Sequence, residues 1–454
     1  MLNTFYIESF GCQMNIYDNE IIISILTQNN LKYVNDYNKA DLILINTCSI
    51  REKAEITIYN RIIFFNSIRR KKKIYLGIIG CMARRIDYKF YFKKKMLDLV
   101  LGPDQYKQFP NIIKSLNDNR YFVNVLLSNQ ETYSNIFPNK IYNDNKITSF
   151  VTISRGCDNM CTFCVVPFTR GRERSKSPSN IIKECKHLYN LGYKEITLLG
   201  QNVDSYLWTK KTNLKKRIQL EVKNKKKKVN FAKLLKKIAK NIPNIRIRFC
   251  TSNPHDMSID VIKVIKKYNN ICKYIHLPFQ SGSNRILNLM NRKYTRLEYI
   301  NLIEKIKVIL PNCAISYDII TGFCTETYKD HIDTLNLMEY VKFDFGYIFC
   351  YSHRRDTYAY KNYKDDVPIK IKKIRIKEII TLQRKHSYIK LKKYLNTIQE
   401  VLIEGISKKN NNFFFGRNSQ NNVIVFKKKN FKLGDIVKVK ILKNTSATLI
   451  GKII

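Results

Sequence analysis

Apolar runs and amphipathic stretches alternate along the first third of the chain. Strands that are apolar throughout and separated by helices are typical of a parallel sheet covered on both faces. We therefore predict an N-terminal parallel α/β domain over residues 1–118, and we interpret residues 111–145 as helix plus linker. The runs expected to form its strands are 3–10, 40–47, 73–80 and 97–103.

The same alternation continues with six more apolar runs separated by helical segments. Six β/α units predict an incomplete barrel, because the closed form of this barrel has eight. We assign residues 143–380 to this central partial (β/α)6 barrel, and we expect the lysine-rich stretch at 209–229 to be a solvated loop. The predicted strands are 146–154, 195–201, 245–252, 274–280, 313–323 and 343–352.

A basic helical segment at 368–395 leads into five short strand-like runs with Gly and Asn turns. This pattern predicts a small β-barrel, which we assign to residues 383–454. Barrels of this size often bind oligonucleotides, but the fold alone does not establish that function.

The chain is strongly basic, with 82 Lys and Arg residues against 36 Asp and Glu residues and a net charge of +46. Such an excess favours a polyanionic partner, with nucleic acid the first candidate. AT-rich coding is an alternative explanation for part of the charge, because Lys, Ile, Asn and Tyr are all abundant. We see no secretory signal and no run of about 18 apolar residues, so we expect a cytoplasmic protein without a membrane span.

Three of the 12 cysteines, Cys157, Cys161 and Cys164, form a C-x3-C-x2-C motif directly after the first predicted barrel strand. In a reducing compartment, clustered cysteines bind metal or do chemistry more often than they form disulfides. Zinc is one alternative, although it usually takes four protein ligands in paired C-x2-C knuckles. Three thiolates in a tight loop suit an iron–sulfur cluster with one iron open to a substrate. Active sites also lie at the carboxyl ends of barrel strands.

Cys12, Cys48 and Cys81 each follow the end of a predicted N-terminal strand. The carboxyl ends of parallel strands share one edge of a sheet, where open α/β folds bind ligands. A lone cysteine is usually a small buried hydrophobe, but three at one edge favour a second metal cluster. We interpret the others as packing residues: Cys185, Cys250, Cys272, Cys313, Cys324 and Cys350.

With these two cysteine sets and the C-terminal barrel, the sequence resembles the methylthiotransferase family of radical S-adenosylmethionine enzymes over nearly its whole length. That family has an N-terminal methylthiotransferase domain, a radical S-adenosylmethionine (SAM) core and a small OB-like barrel called TRAM. The matching stretches are similar to the branch that methylthiolates isopentenyladenosine in tRNA. They read GCQMN, NTCSIRE, GCMAR, SRGCDNMCTFCVVPFTRGRERS, LLGQNVDSY and HLPFQSGSNRILNLMNRKYT.

The resemblance implies a tRNA methylthiotransferase with SAM and two [4Fe–4S] clusters, one on Cys12, Cys48 and Cys81 and a catalytic one on the C-x3-C-x2-C motif. Cleavage of SAM at the catalytic cluster would yield a 5′-deoxyadenosyl radical, which removes hydrogen from C2 of an adenine that then receives the methylthio group. The substrate would be N6-isopentenyl(dimethylallyl)adenosine next to the anticodon. We expect a monomer that also needs an electron donor and a sulfur source, neither of which the sequence identifies.

Polar residues at two other strand ends are candidates for contact with SAM. Gln201 and Asn202 follow the second predicted barrel strand, and Ser281 and Ser283 follow the fourth. Their positions at the carboxyl ends of strands favour a place in the pocket. Helix capping explains such residues equally well.

Three arginines, Arg170, Arg172 and Arg174, follow the C-x3-C-x2-C motif closely. A basic tract beside an active site suits contact with phosphate, and a solvated face is the alternative. We interpret His276 and His353 as structural residues, since hydrogen abstraction by a radical needs no general base.

Two stretches depart from the usual family sequences. GFPGET reads GFCTET (322–327) and YSxRxGTxA reads YSHRRDTYA (351–359), so Thr325 and Asp356 stand where Gly is usual. Residues other than Gly resist a positive φ, which puts the geometry of these turns in question. Two alternative functions stay open: a methylthiotransferase acting on threonylcarbamoyl-adenosine in tRNA or on a ribosomal protein, and a non-catalytic zinc-containing RNA-binding protein.

Overall fold

The computed structural model describes residues 2–48, 52–118, 121–138, 140, 147–209 and 228–454. Most of the predicted lysine-rich loop, at 210–227, lies outside the described residues. Within the part of the chain that is described, no helix is long and apolar enough to cross a membrane.

The N-terminal domain is a parallel sheet with helices on both faces, as predicted. Its strands are β1 (Thr4–Phe10), β2 (Lys32–Tyr33), β3 (Leu42–Thr47), β4 (Tyr75–Gly80), β5 (Leu99–Leu101) and β6 (Phe122–Asn124). Its helices are α1 (Gln13–Gln28), α2 (Glu52–Arg69), α3 (Tyr88–Lys93) and α4 (Phe109–Asn117). The strand order is β2-β1-β3-β4-β5-β6, and every pair is parallel. The two edge strands β2 and β6 were not predicted, because two or three residues carry no periodic pattern.

Alternate residues of β3 pack on opposite faces of this sheet. Leu42 and Leu44 join one hydrophobic cluster with α1 and α4, whereas Ile43 and Ile45 join another with α2. The strand is therefore buried along its whole length, which explains why its sequence is a continuous apolar run.

The register of the three central strands places their ends side by side. Phe10 of β1 pairs with Thr47 of β3, and Thr47 pairs with Gly80 of β4. The chain therefore leaves the sheet at the same edge in three adjacent places.

The central domain is an open barrel of six parallel strands, as predicted, with two small antiparallel pairs. Its strands are β7 (Thr148–Thr152), β8 (Ser154–Arg155), β9 (Arg174–Ser175), β10 (Glu195–Leu199), β11 (Leu207–Thr209), β12 (Lys228–Asn230), β13 (Arg246–Phe249), β14 (Tyr274–His276), β15 (Ala314–Thr321) and β16 (Phe345–Cys350). The barrel consists of two three-stranded sheets, in the orders β13-β10-β7 and β14-β15-β16. A bridge between Ile247 and Ile271 continues one sheet towards the other.

Helices cover the outer face of this barrel and share one large hydrophobic core with it. They are α6 (Pro178–Asn190), α7 (Phe231–Asn241), α8 (Ile259–Lys267), α9 (Asn284–Leu289), α10 (Arg296–Ile309) and α11 (Tyr328–Val341), whereas the short helices α5 (Val166–Arg170) and α12 (Tyr358–Asn362) lie outside this core. At the edge of the barrel, Phe150 and Leu199 join the cluster that α1 forms with the N-terminal sheet. The first two domains therefore pack against each other through apolar side chains.

A long helix, α13 (Ile369–Lys392), leads into the C-terminal domain and crosses the predicted boundary at 383, which stays a prediction. The five predicted strands form a closed barrel: β17 (Ile398–Ile406), β18 (Phe413–Arg417), β19 (Val423–Lys427), β20 (Ile436–Asn444) and β21 (Leu449–Ile453). The turn after β18 contacts the central barrel, because Arg248 donates to the carbonyl oxygens of Asn418 and Ser419 at 2.7 and 3.2 Å.

Candidate active site

The three cysteines of the C-x3-C-x2-C motif lie in one loop that follows β7 and β8. The loop begins at Gly156, whose φ is +79°, and a Cβ there would lie 2.5 Å from the carbonyl oxygen of Gly171. The Gly156 amide donates to Oε1 of Gln201 at 2.5 Å, and the Cys157 amide donates to the Gly171 oxygen at 3.1 Å. These bonds fix the start of the loop, while all three thiols stay half-buried.

Arg292 brings a cation to this loop. Its Nη1 donates to Sγ of Cys161 at 3.2 Å, and its Nη2 donates to Oδ1 of Asn253 at 3.2 Å. Burial raises the pKa of Cys157 to about 11 and that of Cys164 to about 12, so these thiols keep their protons until a metal displaces them. Three thiols in one loop beside a guanidinium have the chemistry that an anionic iron–sulfur cluster needs.

The other predicted cluster ligands, Cys12, Cys48 and Cys81, emerge together at the carboxyl edge of the N-terminal sheet. Cys12 is the N-cap residue of α1, and the Cys48 amide donates to the carbonyl oxygen of Phe10 at 2.9 Å. A Cβ on Gly11 would lie 2.7 Å from Cβ of Cys48, so glycine is needed for the two loops to approach. The structure thus brings together the three thiols that the sequence placed at one rim.

A layer of buried amides supports this rim. Asn15 donates to Oδ1 of Asn46 at 3.1 Å, and Asn46 donates to Oδ1 of Asn19 at 2.6 Å. The thiol of Cys12 lies 3.6 Å from Oδ1 of Asn15. A hydrogen bond from Cys48, helped by the charge of Arg170, lowers the pKa of Cys12 to about 6 despite its burial. The rim therefore favours a thiolate at Cys12 before any metal binds.

Arg170 and Arg174 belong to a buried ionic network and not to a solvated or phosphate-binding face. Arg170 donates through Nη2 to Asp18 at 3.0 Å, and Arg155 donates through Nη1 to the other oxygen of Asp18 at 2.7 Å. Arg174 forms two hydrogen bonds with Asp104, at 2.7 and 3.1 Å. Sequence reasoning missed this role because the acidic partners lie more than 60 positions away in the chain.

Arg170 also reaches the N-terminal rim directly. Its Nε donates to Sγ of Cys81 at 3.1 Å, and its Nη2 lies 3.2 Å from Oδ1 of Asn15. Arg172, by contrast, is exposed and lies 3.8 Å from Asp158. One residue of the predicted basic tract therefore connects the loop of the C-x3-C-x2-C motif to the cysteines of the other domain.

The predicted SAM contacts after the second barrel strand lie close to the motif. Gln201 accepts from the amide of Gly156, as described above. Asn202 is buried and donates to Asp256 at 2.6 Å. Gln201 therefore orients the cysteine loop, whereas Asn202 connects two strand-end loops.

The predicted SAM contacts after the fourth strand are engaged in local structure. Ser283 is the N-cap residue of α9 and donates to Asp330 at 2.6 Å. Ser281 accepts from the amide of Ser283 at 3.2 Å. Ser283 has the capping geometry that the sequence analysis gave as the alternative, whereas Ser281 closes a short turn before the helix. The contact of either residue with SAM stays a prediction.

The inner face of the barrel presents aromatic and polar groups that the sequence analysis missed. Tyr317 packs outward on the helices, so the neighbouring residues of its strand face the interior. His276 lies 3.3 Å from Asp318, and its ring packs edge-on against Tyr347. Tyr347 is 52% exposed, and Phe349 on the same face is also exposed. The alternating aromatic residues of FDFGYIF were a signal for this surface, which suits a planar ligand.

The two unusual turns both contain residues in the left-handed region. Thr325 has a φ of +63° and Asp356 a φ of +72°, at the positions where Gly is usual in the family. Arg285 donates to Oγ1 of Thr325 at 3.0 Å, and Asp356 lies 3.8 Å from Arg85 of the N-terminal domain. The chain therefore keeps the turn conformation without glycine, at a cost in backbone strain.

The remaining cysteines are buried or half-buried, and no disulfide joins any of the twelve cysteines, all of which lie among the described residues. His353 packs against the rings of Tyr351 and Tyr360 at 6.0 and 4.6 Å. Among the residues that the structure describes, no group of three or more His, Cys, Asp or Glu side chains is arranged to hold a single metal ion.

Three family models match the chain, one in each domain. The radical SAM superfamily matches residues 151–338, the uncharacterized protein family UPF0004 matches residues 4–102, and the TRAM domain matches residues 392–454.

Curated relatives are similar over almost the whole chain. A tRNA-2-methylthio-N(6)-dimethylallyladenosine synthase of Karelsulcia muelleri is 56% identical over 99% of this chain and 98% of its own length. Enzymes with the same name from Christiangramia forsetii and Flavobacterium psychrophilum are 53% and 50% identical, each over 98% of this chain and 93% of the relative.

Two solved structures share the fold at low sequence identity. TsrM, a radical S-adenosylmethionine methyltransferase from Kitasatospora setae, has a TM-score of 0.54 at 10% identity and covers 76% of this chain and 73% of its own. OxsB, a cobalamin-dependent S-adenosylmethionine radical enzyme, has a TM-score of 0.53 at 12% identity, over 86% of this chain and 57% of its own. This likeness concerns the fold alone and supports the open-barrel architecture.

Proposed function

Because the chain belongs to the family of these tRNA-2-methylthio-N(6)-dimethylallyladenosine synthases, we propose that it transfers a methylthio group to C2 of N6-isopentenyladenosine next to the anticodon of tRNA. The observation that carries this proposal is the identity of 56% to one member over 99% of the chain. That alignment spans all three domains, and we retain their bounds at 1–118, 143–380 and 383–454.

Membership of the radical SAM superfamily implies SAM and one [4Fe–4S] cluster, which together supply the radical chemistry when bound. We assign this cluster to Cys157, Cys161 and Cys164. The hydrogen bond from Arg292 to Cys161 supports the assignment, because a cation offsets the negative charge of such a cluster. Gln201 orients the loop through the amide of Gly156.

We assign a second [4Fe–4S] cluster to Cys12, Cys48 and Cys81. Support comes from their common edge of the sheet and from Arg170, which donates to Cys81. In this proposal Gln201, Asn202, Ser281 and Ser283 remain contacts for SAM, because all four lie at the carboxyl ends of barrel strands.

The inner face of the barrel is the proposed site for the modified base. Tyr347 and Phe349 are exposed there, and aromatic side chains bind unpaired bases by stacking. An anticodon loop presents its bases unpaired, so little energy is needed to bring the adenine into the barrel. Asp318 pairs with Tyr347 across the sheet, and its half-exposed carboxylate is available to hydrogen-bond the edge of the base. The ring nitrogens of His276 already contact Ser316 and Asp318, so His276 orients this carboxylate.

The C-terminal barrel and the net charge of +46 support binding of the tRNA backbone. A tRNA substrate would place the reaction in the cytoplasm. A monomer is sufficient in this proposal, because both cysteine sets and the inner face of the barrel come from one chain; the electron donor and the sulfur source are separate components.

Mass spectrometry of tRNA nucleosides tests this proposal in a strain that lacks its own enzyme and expresses this gene. We expect 2-methylthio-N6-isopentenyladenosine to appear, and to disappear with Cys157→Ala or Cys48→Ala. Cys185→Ala, which changes a buried cysteine on α6 away from both sets, is the matched control and should keep the product. Unmodified isopentenyladenosine from cells with soluble, iron-containing protein would refute the substrate assignment.

A further inference from the structure

Arg170 belongs to the central domain but contacts Cys81 of the N-terminal domain. It ends α5, which begins two residues after Cys164. An α-helix rises 1.5 Å per residue, so the backbone of Arg170 lies roughly 9 Å along the chain from Cys164. Its guanidinium then reaches Cys81 through Nε and both Asn15 and Asp18 through Nη2. Its side chain is only 4% exposed.

The buried network around Arg170 has more guanidinium groups than carboxylates. Three guanidinium groups, those of Arg155, Arg170 and Arg174, share two carboxylates, those of Asp18 and Asp104. An uncompensated charge is expensive to bury. A negative group is therefore expected within reach of this network, and the contact of Arg170 with Cys81 indicates where it lies.

The guanidinium of Arg170 also has unused donor capacity. Among the described residues, its Nη1 is buried and has no hydrogen-bond acceptor. A buried donor that belongs to a charged group is costly to leave unsatisfied. An iron–sulfur cluster on Cys12, Cys48 and Cys81 would bring thiolate and sulfide acceptors to this position.

We propose that Arg170 is a positioning residue that hydrogen-bonds the auxiliary cluster through Cys81 and raises the reduction potential of that cluster. The proposal rests on the second cluster of the proposed function. Reduction adds one negative charge to the cluster, so a nearby cation favours the reduced form. Hydrogen bonds to cluster sulfurs act in the same direction.

The test is a redox titration of the auxiliary cluster alone, with dithionite as the reductant and electron paramagnetic resonance (EPR) as the readout. All variants carry Cys157→Ala, Cys161→Ala and Cys164→Ala, so that the only cluster is the auxiliary one. Adding Arg170→Met should lower the ratio of reduced to oxidised cluster at least tenfold at a fixed potential, which is about 59 mV for one electron. Arg170→Lys keeps the charge but not the paired hydrogen bonds, and we expect a smaller shift with altered g-values.

Arg172→Met is the matched control, because Arg172 lies two residues away with a side chain that is 63% exposed, and its midpoint should equal that of the parent. Identical midpoints and g-values in Arg170→Met and the control, with equal iron content, would overturn the proposal. If Arg170→Met does not fold, unchanged values in Arg170→Lys would overturn it equally.

The titration uses no tRNA, so its result is separate from the substrate assignment. A shifted midpoint in a protein that fails to modify tRNA would refute the proposed substrate and leave the role of Arg170 standing. A parent variant that folds but binds no iron would instead refute the second cluster. The role of Arg170 would fall with it, and so would the part of the proposed function that depends on that cluster.

Discussion

Replacing Asp18 by Asn removes one of the two buried carboxylates that join the N-terminal and central domains at the candidate active site. Asp18 is fully buried, and its two oxygens accept hydrogen bonds from Arg155 at 2.7 Å and from Arg170 at 3.0 Å. Breaking a buried ion pair by removing one partner costs about 3–5 kcal/mol. The change leaves Asp104 as the only carboxylate among three guanidinium groups of the described network, so we expect a loss of about 4 kcal/mol.

The assay is urea denaturation of the apo chain, with hydrogen exchange of α1 as a local readout. Exchange is useful here because it reports the opening of one region even when the whole chain does not unfold in a single step. Asp158→Asn is the matched control, since Asp158 is 49% exposed and its contact with Arg172 spans 3.8 Å. Exposed ion pairs contribute about 0–1 kcal/mol to the free energy of unfolding. A loss in Asp18→Asn of less than 1 kcal/mol, equal to that of the control, would refute the view that this charge stabilises the contact between the domains.

Three further predictions concern other parts of the chain. Burial raises the pKa of Asp204 from 3.8 to about 7. The folded chain therefore favours the protonated carboxyl, so the stabilisation is complete below pH 4 and is lost as the pH rises to 7. Asp204→Asn should therefore become more stable relative to the native chain across this range, by up to about 4 kcal/mol in urea titrations, and parallel pH profiles would contradict this. Tyr347→Ala should lower kcat/KM for an isopentenylated anticodon stem-loop by about 5- to 150-fold, because stacking contributes about 1–3 kcal/mol per base. Tyr340→Ala, which is also 52% exposed but lies on α11, should leave kcat/KM unchanged, and equal effects would exclude the stacking role. Thr325→Gly should stabilise the chain by up to about 1 kcal/mol. The left-handed conformation costs a β-branched residue about 1–2 kcal/mol, and part of this gain is lost because glycine has more conformational entropy in the unfolded chain. A lower Tm in Thr325→Gly than in the native chain would argue against strain at this turn.

The strands and the cysteine sets could be predicted because their signals are local. A buried parallel strand is a continuous apolar run, and the residue after it lies at the carboxyl edge whatever the rest of the fold does. Cys48 and Cys81 directly follow β3 and β4, so their meeting needed only the correct order of neighbouring strands. The five strands of the C-terminal barrel were equally visible through their turns.

The edge strands and the inner face of the barrel needed information that no local pattern carries. Lys32–Tyr33 becomes a strand only because β1 offers it a parallel partner. Tyr347 and Phe349 alternate with residues that pack on the helices, but the side facing the interior depends on how β16 lies on β15. The same alternation on an ordinary strand would have placed these rings in a core.

The roles of Arg170 and Arg174 depend on docking between domains, which is why a basic tract in the sequence became a buried network in the structure. Asp18 and Asp104 come from the N-terminal domain, whereas all three arginines come from the central one. The buried charges of each domain have partners in the other, so the ionic network exists only when the two domains are docked. Docking of the N-terminal domain therefore completes the ionic network and brings Cys81 to Arg170 in the same step. It follows that the two cysteine sets cannot move independently of each other while this network is intact.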